Sequence, residues 1–105
     1  MYKQGETVKI TMTFTDQFGT AINMIATPTY EFYKRLKKEV ITDTTATGLN
    51  LRNETNPATG VYEFLIDLPR LESDQTREIL EVTAFGEDSN TIITSNNVKI
   101  EISRD

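Results

Sequence analysis

The sequence predicts an all-β chain folded as an antiparallel β-sandwich of about seven to nine short strands. Three observations predict it. Apolar and polar residues alternate in several segments, the period of a strand with one buried face. Turn signals recur every ~8–12 residues, as in sandwiches. No segment spaces its apolar residues as a helix would, while Thr, Tyr, Phe, Val and Ile, which favour pleated surfaces, are plentiful.

The elements follow in order. In residues 7–15, Val8, Ile10, Met12 and Phe14 alternate with Thr and Lys, which predicts a strand with one buried face. Asp16-Gln17-Phe18-Gly19 reads as a turn in which Gly19 takes positive φ. Residues 20–25 suggest a short strand, ended by Thr27-Pro28. Residues 29–36 form the next, with Tyr30 and Phe32 on the core face and Glu31 and Tyr33 opposite. Residues 34–38 and 39–42 then make a hairpin with a basic tip. Residues 43–48 are a polar connection, residues 49–52 a short strand, and the Asn- and Pro-bearing residues 53–60 a loop.

Residues 61–68 place Tyr62, Phe64, Ile66 and Leu68 on one face, and Pro69 ends that strand. Residues 70–75 are polar and fit one helical turn. Residues 77–85 alternate again through Leu80, Val82 and Ala84; residues 86–90 are a turn; residues 91–94 are short and β-prone. Val98, Ile100 and Ile102 define the last strand. The simplest organisation is one domain over residues 1–105, the size expected of a single core.

Composition narrows function before any motif is weighed. There is no Cys, so disulfides and thiolate metal sites are excluded. There is no His, the commonest general base and metal ligand. A net charge of −5 opposes nonspecific nucleic-acid binding. That charge is uneven: residues 1–52 carry +2 and residues 53–105 carry −7, an asymmetry able to orient subunits in an assembly. The N-terminus has no apolar signal-peptide core, and no apolar run approaches the ~20 residues of a membrane helix. The expectation is a chain made in the cytoplasm; an excised module of a longer protein would leave localisation open.

Several motifs carry a resemblance. Gly5-Glu6-Thr7-Val8-Lys9-Ile10 leads in, Asp16-Gln17-Phe18-Gly19 turns, Thr59-Gly60-Val61-Tyr62 enters a central strand, and Val98-Lys99-Ile100 closes the chain. In this order they resemble the immunoglobulin-like sandwich modules of tailed-phage virion proteins and bacterial surface proteins. A second Gly-x-Tyr, usual in that pattern, is replaced here by Ile79-Leu80-Glu81-Val82, and the two Cys and the Trp of antibody domains are absent. The resemblance implies a non-enzymatic virion accessory, a capsid decoration or a neck or tail component, working by contact with capsid or tail proteins and with homo-oligomerisation open. The alternative it implies is an adhesion module that recognises a host-surface glycan. No cofactor, nucleic acid or membrane insertion is expected.

Candidate interface residues are Phe18, Tyr33, Lys34, Arg35, Lys37 and Lys38. Lys34-Arg35-Leu36-Lys37-Lys38 would grip an acidic partner surface or a phosphate polymer; its plainer reading is a solvated tip or lysines that blunt an edge strand. Phe18 in a turn and Tyr33 opposite the core face are aromatic anchors, since interface centres favour Tyr and Phe. The acidic stretches at residues 72–74 and 87–90 offer oxygen ligands to Ca²⁺ but lack the spacing of a calcium loop and read as solvated turns. Glu63 and Asp67 share a strand face ~13 Å apart, too far for a glycosidase pair at ~5–9.5 Å. Loops at the sandwich ends and open strand edges remain as places for specific contact.

Overall fold

The computed structural model describes residues 1–42, 48–88 and 91–104. Those residues are all-β in two sheets, with no helix. The smaller sheet runs β2 (Thr7–Thr13), β6 (Val61–Asp67), β5 (Arg52–Ala58), with both pairings antiparallel. The larger runs β1 (Tyr2–Lys3), β9 (Val98–Ser103), β7 (Arg77–Asp88), β3 (Thr29–Lys34), β4 (Glu39–Ile41). An additional strand, β8 (Thr91–Thr94), pairs with the far end of β7.

Alternation decides which face is buried. Val8, Ile10 and Met12 of β2 and Tyr62, Phe64 and Ile66 of β6 are buried, as are Leu80, Val82 and Ala84 of β7 and Ile100 and Ile102 of β9. The two sheets thereby share one apolar cluster, a sandwich-like arrangement. At its centre the Phe64 ring meets Phe32 edge-on at 6.3 Å and Tyr30 at 4.4 Å, and Tyr62 meets Phe14 edge-on at 5.5 Å. The Tyr62 hydroxyl also accepts a hydrogen bond from the buried Met24 N–H at 2.8 Å. Tyr62→Phe keeps the ring and orphans that donor. It should cost about 1–2 kcal/mol in chemical denaturation, and an unchanged midpoint would show that water replaces the hydroxyl.

Five expectations are corrected. Residues 49–51 form no strand, and β5 begins only at Arg52. Not every pair is antiparallel: Tyr2 and Lys3 lie parallel to Ile102 and Ser103, because the chain enters along the last strand before crossing to the other sheet. Residues 20–25 make only the bridge Thr15–Ala21, since Met24 spends its N–H on Tyr62 rather than on a ladder. Residues 53–60 are no loop. They supply most of β5, an irregular edge strand whose register on β6 shifts twice, which is where Pro57 and the positive φ of Asn53 can be accommodated. Residues 70–75 form no helical turn; Arg104 holds them by donating to the carbonyls of Gln75 (Nε, 3.0 Å) and Glu72.

The turn at residues 16–19 is as expected, with Gly19 at φ 82° and its N–H on the Asp16 carbonyl at 3.0 Å. β7 runs three residues past its expected end, through Gly86 to Asp88. Residues 43–47 of the polar connection, and Ser89 and Asn90 of the acidic turn with its calcium reading, lie outside the described residues.

Candidate functional site

β7 is twelve residues long, about 36–40 Å of extended chain, in a body of 45 × 25 × 24 Å. Its two ends differ in chemistry. At the Arg77 end sits the basic hairpin tip, where the Arg35 N–H donates to the Ile79 carbonyl at 2.9 Å. At the Asp88 end the β7–β8 hairpin meets the turn at residues 16–19 and the segment before β3.

The Asp88 end exposes apolar surface. Phe18, Ile25 and Ile92 are 82%, 69% and 72% exposed. They are not scattered. Ile92 separates two shallow grooves of about 380 and 490 Å³. Ile25 and Phe85 line the first, and Phe18, Asp16 and Asp88 the second. The backbone that carries these side chains is fixed. Asp16 Oδ1 accepts from the N–H groups of Phe18 and Thr20 at 2.8 and 3.0 Å, and the Ile25 N–H donates to the Glu87 carbonyl at 2.9 Å. An apolar surface on a rigid frame loses little entropy on docking. β8 adds a second opportunity: among the described residues its only strand partner is β7, so one edge is open to pairing.

The charge at this end is of one sign. No Lys or Arg occurs in residues 10–33 or 83–98, the segments that build the grooves, while Asp16, Glu87 and Asp88 do. The eleven cations of the chain lie elsewhere.

At the opposite end, the expected basic patch is largely engaged. Lys37 Nζ lies 3.1 Å from Glu72 and 3.4 Å from Asp74, and these carboxylates, Glu72 first, hold its ammonium above the usual value. Arg35 reaches Glu81 at 3.8 Å. Among the described residues Lys34 and Lys38 form no ion pair, so the tip keeps a smaller free charge than its sequence implies. Tyr33 is half-buried, opposite Val40 and Glu81 in neighbouring strands. The structure thus separates Phe18 from Tyr33 and the four basic residues by most of β7.

Glu78 is not among the interface residues that the sequence points to, and it is 1% exposed. It lies on the core face of β7 beside Leu80 and fastens the tip. Its oxygens accept from the N–H groups of Leu36 at 2.7 Å, Lys37 at 3.2 Å and Ile79 at 2.9 Å, and from the Gln75 amide at 2.9 Å. Burial pushes its pKa up, and those four hydrogen bonds outweigh burial, so the carboxyl titrates below its usual range. Its place in the alternation, two residues before Leu80, was the available signal. Ile25 and Ile92 were also missed, since exposure of an isolated Ile in a short β-prone segment has no sequence mark.

Comparison with family models, with characterised proteins and with solved structures finds no match.

Proposed function

We propose that this is a non-enzymatic interaction protein that docks on a protein partner through its apolar, acidic end. The observation that carries the reading is the convergence of Phe18, Ile25 and Ile92 around two grooves on a hydrogen-bonded frame without a single cation. Exposed apolar clusters rimmed by charge are where proteins meet. A glycan-binding platform is less well served, because Phe18 and Tyr33 are at different ends.

The setting proposed is a phage particle, with the chain as a capsid decoration or a neck or tail component of immunoglobulin-like fold. The motif order of the sequence supports it. The strand orders β2-β6-β5 and β3-β7-β9 support it too, since they can be aligned with the B-E-D and C-F-G orders of such sandwiches.

The test is a photo-crosslinking residue at position 92, with position 9 on the outer face of β2 as control, in cells that make the whole assembly. One defined protein adduct from position 92 and none from position 9 is expected. Equal labelling at both positions, or none, overturns the docking reading. Recovery of the adduct in sedimenting particles supports the virion setting, and its confinement to the soluble fraction removes it.

A further inference from the structure

We infer that the partner at this end is a second copy of the same chain, bound head to tail, with the hairpin tip of one molecule seated in the grooves of the next. This rests on the docking reading above and names its occupant. The argument is complementarity within one sequence. The tip presents Leu36, 47% exposed, beside the cations Lys34 and Lys38, which form no ion pair among the described residues. The grooves present Ile92, Phe18 and Ile25 beside Asp16, Glu87 and Asp88. One is an apolar knob with positive charge, the other an apolar depression with negative charge.

Geometry allows the contact. The tip attaches at Glu78 and Ile79, and the grooves lie at residues 85–88 of the same strand. That separation is about 20–30 Å along β7, in a molecule 45 Å long. A molecule cannot fill its own groove, and a neighbour can. Glu78 sharpens the knob, because it holds the Leu36 and Lys37 amides and so fixes the loop before contact.

A contact between two different patches is heterologous, so it leaves a free knob and a free groove after every addition. It closes into a ring or continues as a filament. A single knob covers well under the ~1,200 Å² of a stable complex, so the contact is weak and forms at high chain concentration. The paired charges lie at the surface, so salt weakens it.

The experiment is light scattering of the purified chain over a concentration series at low and high salt. Concentration-dependent growth is expected, reduced about fivefold or more in association constant between ~50 and ~500 mM salt. Leu36→Asp and Ile92→Asp should each abolish growth while leaving the melting temperature unchanged, since both side chains are exposed. The decisive arm mixes the two variants. Leu36→Asp keeps its groove and Ile92→Asp keeps its knob, so together they should form a dimer and stop there. A strict monomer at all concentrations overturns self-docking. So does growth that survives either variant, as a symmetric Ile92–Ile92 contact would in Leu36→Asp, or a mixture that stays monomeric. A position-92 crosslink to a different protein leaves the docking reading standing and removes only the second copy.

Discussion

Glu78→Ala should lower stability by about 3 kcal/mol, the largest loss expected from removing a single charged side chain here. The carboxylate is 1% exposed and accepts four hydrogen bonds, three of them from backbone N–H groups. Hydrogen bonds to a charged group contribute about 1.5–3 kcal/mol each, and a buried donor left unpaired costs about 1–3 kcal/mol. The loss stays below their sum because the Leu36 and Lys37 amides lie in an exposed tip that water can reach once the carboxylate is gone. Hydrogen exchange at these two amides should accelerate more than exchange in the centre of β7, since the tip is released before the sheet.

The same carboxylate has a pH signature. Its pKa is lowered in the folded chain, so the unfolded state binds more protons as pH falls. Its contribution is complete above the usual Glu value and is lost as pH falls through the lower, folded value. Asp67 acts in the same sense, held below its usual value by hydrogen bonds from Thr7 first, then Arg52 and Asn50. Wild-type stability should therefore fall below about pH 4.5, and Glu78→Ala should flatten that limb. Denaturation between pH 7 and 3 reads both. Parallel curves for the two proteins would show that Glu78 is not the group titrating.

Gly60→Ala is expected to cost a similar amount, about 3 kcal/mol or a fall of roughly 12 °C or more in melting temperature, for an unrelated reason. Thr59 and Gly60 turn β5 into β6 between the paired Ala58 and Val61. Gly60 has φ 74°, where an L side chain is strained. An added Cβ would also lie 2.7 Å from the Phe14 carbonyl oxygen and 3.0 Å from the Ile22 backbone N and O. These are backbone atoms, so no rotamer relieves the clash. Gly60 is stitched to this layer as well: its carbonyl accepts from the Phe14 N–H at 2.8 Å, and its N–H donates to Asn23 Oδ1 at 2.7 Å. Gly19→Ala is the control. Its φ of 82° carries the same conformational cost, but its Cβ would meet nothing within 4 Å. It should cost about 1–2 kcal/mol. Equal losses at the two positions would reduce the Gly60 effect to backbone conformation and remove the steric part.

The pathway from sequence to candidate site is uneven. Phe18 was legible because a large aromatic beside Gly19 in a turn has no core face to join. Leu36 was visible inside the basic run, but its fixed presentation by Glu78 was not. Ile25 and Ile92 gain meaning only when the segment before β3 and the β7–β8 hairpin meet. The pairing within the basic run was not legible, because Glu72, Asp74 and Glu81, which engage Lys37 and Arg35, are more than thirty residues away in the chain.

By itself the sequence determined the strands whose apolar residues alternate without interruption, and with them the buried set at Val8, Ile10, Tyr62, Phe64, Leu80 and Ile102. Alternation is a local code, since a period of two assigns each side chain to a face whatever the partner strand. It also determined the absence of cations from the segments around Phe18 and Ile92. The tertiary structure alone decided what depends on partners. Polar residues 53–58 become a strand because β6 offers them an edge. Glu78 is buried because four donors from three segments converge on it. The basic tip and the apolar grooves stand at opposite ends because one strand, β7, runs between them. Hydrogen-bond partners and ion pairs that close across the fold leave no local period in the chain.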